Sequence, residues 1–286
     1  MKKSLSFIQD GIDMIRQVRR IRRGDSPGIP RDELLRAYIK VHCKYLQSKY
    51  FGVKHEPPIE ILNYRFDFTD YHNFRFLFHE IFLSQDYHFT TEKGSPYILD
   101  CGSNIGSSIL YLKKIFPRAI IDGFEPFDHA FHVLKRNIEV NHLEDVTVHK
   151  LALSDRNGSR PLFYDPSKPG SLVRSLCQER VEDAASITVE TTTLSSYIDR
   201  TVDFLKMDIE GSEMAVMQDL HDDKKLPLIQ KAAIEYHHHI VKDADCLSHL
   251  LHILEQNNFG YHVHSILGHP HWRGQAQDIM IYAYRK

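Results

Sequence analysis

The chain has 286 residues, 42% of them hydrophobic, and a formal net charge of -2. A chain of this length buries a full core without staples, and its near-neutral balance gives no global electrostatic case for a nucleic-acid partner. Its four cysteines, Cys43, Cys101, Cys177 and Cys246, form no C-x-x-C pair, which argues against a zinc ribbon or a redox dithiol.

Residues 1–23 read as an amphipathic helix with Leu5, Ile8, Ile12, Ile15 and Val18 on one face. Arg16, Arg19, Arg20, Arg22 and Arg23 gather toward its C-terminal end, where cations suit the helix dipole. Such a helix docks on its own domain or a partner, or makes peripheral contact with an anionic membrane surface. The stretch lacks the continuous apolar core and cleavage site of a secretory signal, and no run of about 18 apolar residues is available to span a membrane. A cytoplasmic location is the expectation. Residues 24–30 break the chain, and residues 31–51 form a second helix carrying Leu34, Leu35, Tyr38, Ile39 and Leu46. Pro57-Pro58 closes that region, and residues 59–68 suit a hairpin or an extended arm. The aromatic-rich residues 70–86, with Tyr71, Phe74, Phe76, Phe78 and Phe82, suit a helix that packs on the main domain or covers a ligand.

From residue 96 strands alternate with helices. Strands are expected at 97–100, 119–125, 146–153, 187–194, 202–207, 232–236, 261–267 and 279–284. Helices are expected at 106–115, 128–141, from 212, and at 244–257, and residues 157–185, with Pro161, Pro166, Pro169 and Gly170, read as loop. The alternation predicts an α/β fold with a mostly parallel, doubly wound sheet.

The stretch Asp100-Cys101-Gly102-Ser103-Asn104-Ile105-Gly106 joins the first of these strands to a helix. Gly102 permits a sharp turn close to a ligand, and Gly106 lets the helix approach the strand. Asn104 stands where a dinucleotide fingerprint needs glycine, and an acidic Asp100 is poor company for a pyrophosphate. A carboxylate there suits a cationic ligand, and S-adenosylmethionine (SAM), with its ammonium and sulfonium, fits that charge logic. The second strand ends Gly123-Phe124-Glu125-Pro126, which places Glu125 to accept hydrogen bonds from two ribose hydroxyls. The third ends Ala152-Leu153-Ser154-Asp155, where Leu153 would pack on an adenine ring and Ser154 or Asp155 would bind its edge.

These segments, with Lys206-Met207-Asp208-Ile209-Glu210-Gly211-Ser212-Glu213, resemble the FkbM-type methyltransferase family over residues 70–286, leaving residues 1–69 as an N-terminal helical extension. Cys101 and Ser103 replace the usual small apolar residues of the loop, and Ser212 stands where alanine is common. The resemblance implies a Rossmann-like class I methyltransferase with a seven-stranded sheet whose last strand is antiparallel. It also implies SAM as cofactor, bound by Asp100, Gly102, Ser103, Asn104, Gly106, Glu125, Leu153 and Ser154. The implied reaction is methyl transfer to a hydroxyl of a sugar, glycan or other small-molecule acceptor. An N-methyltransferase of the same fold often carries an Asn/Asp-Pro-Pro-Tyr/Phe loop where this chain has Asp208-Ile209-Glu210-Gly211. A third reading, a catalytically silent module docking on a membrane or partner through its basic helix, is opposed by the intact Asp100, Gly102 and Glu125.

A hydroxyl acceptor needs a base or a metal to raise its nucleophilicity. Asp208 ends the fourth core strand and Glu210 follows two residues later. One is a candidate base, and together they could hold a divalent cation, which is allowed but not predicted. Glu210 alternatively supplies negative charge at a helix N-terminus. Glu235 and His237 share one strand face, with His237 in the pKa range of a neutral-pH base and His239 an alternative if the strand continues. His262 and His264 share another face, with His269 and His271 nearby, but spacing alone completes no metal site, so no metal ligand is expected.

Overall fold

The computed structural model describes residues 2–24, 27–168, 171–181, 184–240, 246–265 and 277–286. It opens with two helices, α1 (Lys2–Arg23) and α2 (Arg31–Phe51), followed by a hairpin of β1 (Ile59–Ile61) and β2 (Tyr64–Phe66). The face that α1 buries differs from the expected one. Met14, Val18 and Ile21 pack on the core, whereas Ile12 and Ile15 are exposed; Leu5 and Ile8 lie outside the described side chains. The true stripe steps by four, four and three from Asp10, whose carboxylate meets Lys49 and the Tyr50 hydroxyl of α2. A polar residue in the stripe disguised it.

The α3 helix (Tyr71–Phe78) runs on into a π-helical turn, His79–Ser84. Asp70 caps it by accepting from the Asn73 N–H at 2.9 Å. Tyr71, Phe74 and Phe78 are buried, and Phe78 stacks on Phe82 with centroids 5.4 Å apart. Phe82 in turn meets Tyr111 edge-on at 5.4 Å, so an aromatic ladder ties this segment to the α/β core. The opposite face of α3, with His72, Asn73, Phe76 and Leu77, lines the cavity described below.

Seven strands form the main sheet: β3 (Tyr97–Cys101), β4 (Ile120–Phe124), β5 (Val146–His149), β10 (Phe204–Met207), β11 (Lys231–His238), β12 (Phe259–Ser265) and β13 (Gln277–Arg285). Their order is β12-β13-β11-β10-β3-β4-β5. The β3, β4, β5, β10 and β11 strands pair in parallel, whereas the last strand, β13, runs antiparallel between β11 and β12. Helices α4 (Ser107–Ile115), α5 (Asp128–Val140), α6 (Glu213–Asp222) and α7 (Leu247–Gln256) connect the strands. Two apolar clusters flank this sheet, one joining the N-terminal helices to α4 and the other packing α6 and α7 on it. The chain runs outward from β3 toward β5 and then crosses to β10. This places the topological switch point between β3 and β10, where doubly wound sheets bind ligands.

The expected strand at 146–153 divides. Ala152–Leu153 (β6) leaves the main sheet to pair in parallel with β9 (Ala185–Thr192). The expected loop at 157–185 contains β7 (Gly158–Tyr164) and β8 (Arg174–Ser175), giving a second sheet of order β6-β9-β7-β8. Only Phe163 and Tyr164 of β7 pair with β8, so Pro161 stands where β7 has a ladder on one side alone. Pro169 and Gly170 lie outside the described residues. Among the described residues no helix is long and apolar enough to cross a membrane.

Candidate active site

The carboxyl ends of β3, β4, β10 and β11 open into a cavity of about 890 Å³, within the range of small-molecule sites. Gly102, Asn104, Phe124, Glu125, Pro126 and Leu153 line one part of it, and Asp208, Glu210, Glu235, His237 and Asp278 another. Most of the expected residues therefore meet. Asp100, Ser103, Gly106 and Ser154 are buried but do not form the wall.

The turn after β3 is built against β10. Gly102 has φ +83°, and a Cβ there would lie 1.8 Å from the carbonyl oxygen of Asp208, so only glycine fits. The Lys206 ammonium beneath it donates to the carbonyls of Gly102 at 2.6 Å and Cys101 at 3.2 Å. It also lies 3.4 Å from Asp100 Oδ1 and 3.7 Å from Asp208 Oδ2. Burial works against the Lys206 charge, but Asp100 and Asp208 outweigh it and raise its pKa. Asp100 itself is fully buried, and its Oδ2 accepts from the Ser108 hydroxyl at 2.6 Å. It is thus a counterion to Lys206 rather than a wall residue. Ser103 donates to the Asp100 carbonyl, and Gly106 lets α4 pass close to Leu134. The Ser154 hydroxyl meets Asp155 and accepts from Arg160, so it holds its own turn.

Glu125 is held between two loops. One carboxylate oxygen accepts from the Asn104 N–H at 3.0 Å and the other from the Phe127 N–H at 2.8 Å. Burial pushes its pKa up, opposed by Arg174 and these two N–H groups. A carboxylate has about four acceptor sites, so further donors in the cavity can still be accommodated.

At the other end, β10 and β11 are parallel neighbours with Met207 opposite Ile234, so Asp208 and Glu235 emerge side by side. The Tyr87 hydroxyl reaches both, at 3.2 Å from Asp208 Oδ2 and 3.3 Å from Glu235 Oε2. The loop after β10 folds over Glu213, whose Oε1 accepts from the N–H groups of Ile209 at 3.2 Å and Gly211 at 3.0 Å. The same oxygen lies 2.9 Å from Nδ1 of His237. Nε2 of that ring is 3.3 Å from Glu210 and 4.0 Å from Asp208. Burial disfavours the imidazolium, yet Glu213, Glu210 and Asp208 together raise its pKa to about 10. His237 is therefore charged in the ligand-free protein at neutral pH, not poised near 7 as its type suggests. Burial and then Asp208 push the Glu235 carboxyl well up, and the same pair of causes raises Glu80 to about 8. Glu210 is also pushed up by burial, although Arg180 donates to it at 2.8 Å.

His239 turns out of the strand at φ 61°. His262 and His264 are exposed on the edge strand β12, and His269 and His271 lie outside the described residues. Sequence reasoning missed Glu80, Tyr87, Arg174, Arg180 and Asp278, which arrive from three separate stretches of the chain. Lys206 carried a legible signal, because a lysine inside the apolar strand Phe204–Met207 has to find a counterion.

Residues 100–263 match the methyltransferase FkbM domain. Methyltransferase 1 of Beauveria bassiana is 28% identical over 180 residues, spanning 56% of this chain and 72% of that protein. The 2-O-methyltransferase NoeI of Sinorhizobium fredii is 29% identical over 144 residues, spanning 44% of this chain and 58% of that protein. The crystal structure of methyltransferase FkbM from Methylobacillus flagellatus superposes with a TM-score of 0.46 at 17% identity. That alignment covers 98% of this chain and 60% of that one. The domain match extends over more than half of the chain, which belongs to the FkbM methyltransferase family.

Proposed function

We propose that this methyltransferase uses SAM to methylate a hydroxyl of a sugar, glycan or other small-molecule acceptor. The observation that carries the reading is Glu125, a cavity-facing carboxylate at the end of β4, fixed to the Gly102–Asn104 turn by the Asn104 N–H. The residues present suit the cofactor. Glu125 offers paired acceptors for ribose hydroxyls, while Leu153, Phe124 and Pro126 supply an apolar wall for an adenine ring. Gly102 and Asn104 bring backbone to the same wall. When bound, SAM supplies a methyl group on a sulfonium leaving group.

The chain's own work is then to orient the acceptor and take its proton. Asp208 is the base in this reading, with Lys206 and His237 flanking its carboxylate. His237, held as an imidazolium by Glu213, positions Asp208 and Glu210 instead of accepting the proton. The α3 helix and the turn after it wall the acceptor side, so residues 70–286 act as the catalytic unit and residues 1–69 as a helical extension. An oxygen acceptor is supported by the carboxyl-rich end of the cavity and by the 2-O-methyltransferase among the relatives.

Calorimetric titration of SAM tests the reading. Glu125→Ala is expected to weaken binding by about 1–3 kcal/mol, because two hydroxyls lose a charged acceptor. Wild-type affinity in that variant, or no binding to the wild type, would remove Glu125 and the cofactor assignment respectively.

A further inference from the structure

We propose that Asp208, Glu235 and His237 form a site for one divalent cation, of the Mn²⁺, Mg²⁺ or Zn²⁺ class, at the acceptor end of the cavity. The inference deepens the reading above, on which it rests for its purpose of holding an acceptor oxygen, but the binding of the ion does not depend on SAM.

Geometry comes first. One ligand atom from each of the three residues lies within 4.8 Å of the other two. Ligand atoms about 2.1 Å from a shared ion stand roughly 3–4 Å apart, so a small contraction closes the site. The fold supplies this arrangement through adjacent parallel strands, with Asp208 and Glu235 side by side and His237 on the same face as Glu235.

The imidazole is the second observation. The His237 side chain is 2% exposed, and its Nδ1 is committed to Glu213. Its Nε2 faces the carboxylates of the cavity, 3.3 Å from Glu210, 3.9 Å from Asp278 and 4.0 Å from Asp208. A metal-bound histidine characteristically gives its other ring nitrogen to a carboxylate, which fixes the tautomer and the ring plane. Glu213 is itself fixed by two backbone N–H groups, and Tyr87 holds both carboxylate ligands from behind. Each of the three ligands is therefore fixed by a second contact of its own.

Charge points the same way. Glu80, Asp208, Glu210, Glu235 and Asp278 all line this end of the cavity. Lys206 is engaged with Asp100 and the turn carbonyls, and Arg180 with Glu210 and Asp278. Asp208 and Glu235 remain close together with only the Lys206 ammonium, 3.7 Å from Asp208, beside them, and a divalent ion between the two would offset their mutual repulsion.

The test is titration of Mn²⁺ into the full-length, chelator-treated protein without SAM, with free Mn²⁺ followed by electron paramagnetic resonance. A single saturable site is expected, weakened about tenfold or more in Glu235→Gln and about 10- to 100-fold in Glu213→Gln, which would touch no ion. Thermal melts establish that each variant is folded; should one fail, the wild-type stoichiometry and the other variant decide. Absence of saturable binding for both Mn²⁺ and Zn²⁺, or binding indifferent to Glu235→Gln, would overturn the proposal. SAM calorimetry on the same samples separates the two ideas. Mn²⁺ uptake without SAM binding keeps the ion and removes the cofactor reading, and SAM binding without Mn²⁺ uptake does the reverse.

Discussion

Lys206→Met is expected to cost about 3–5 kcal/mol of folding stability, because it leaves a buried carboxylate without its counterion. Lys206 is 2% exposed and Asp100 0%. Asp100 Oδ1 accepts no hydrogen bond among the described residues, and the ammonium 3.4 Å away is what neutralises it. Methionine keeps the length and apolar stem of the lysine but takes the donor from the Gly102 carbonyl and one of two donors from that of Cys101, which keeps the Asp208 N–H. Chemical denaturation of the variant, or loss of soluble protein where the cost exceeds the margin of stability, reads the effect. The double variant with Asp100→Asn should recover part of the loss, since it removes the stranded charge while retaining a group that faces Ser108. A single-variant cost below about 1 kcal/mol would mean that the ion pair does not brace the turn.

That ion pair also marks where sequence reasoning stopped. The order of the main-sheet strands and of the helices from residue 96 was legible because each element carries its own period, and the turn at Gly102 because its residue types serve local backbone needs. The role of Asp100 was misread, since a carboxylate at a strand end looks alike whether it faces a ligand or a lysine on the next strand. Only the pairing of β3 with β10, with Lys206 opposite Asp100, decides between these. The same limit explains the second sheet. Ala152 and Leu153 continue an apolar strand pattern, but their hydrogen-bond partners are Thr191 and Thr192, some forty positions away. The histidine chemistry was hidden for a related reason. An isolated imidazole titrates near neutrality, and only the convergence of Glu210, Glu213 and Asp208 on His237 moves it to about 10.

The carboxylates that form that cage are unequal, and Asp208→Asn exposes the difference. Once the acceptor is found by screening, this change is expected to lower turnover by about 100- to 10,000-fold, the usual contribution of a positioned base. Asparagine preserves the volume and can still accept from the Tyr87 hydroxyl, so stability should change little. What it loses is the charge beside Lys206 and His237 and the ability to take a proton. Glu235 is a poor substitute, because burial alone still pushes its carboxyl up once the Asp208 charge is gone. Initial rates, read as formation of the demethylated cofactor, should therefore fall in kcat more than in SAM affinity. Turnover close to wild type in Asp208→Asn would remove Asp208 as base and leave Glu210 as the remaining candidate on the same loop. Recovery of the rate at high Mn²⁺ would trace the loss to the ion that Asp208 ligates rather than to a missing base, because raising the free ion refills a weakened site but cannot restore a base.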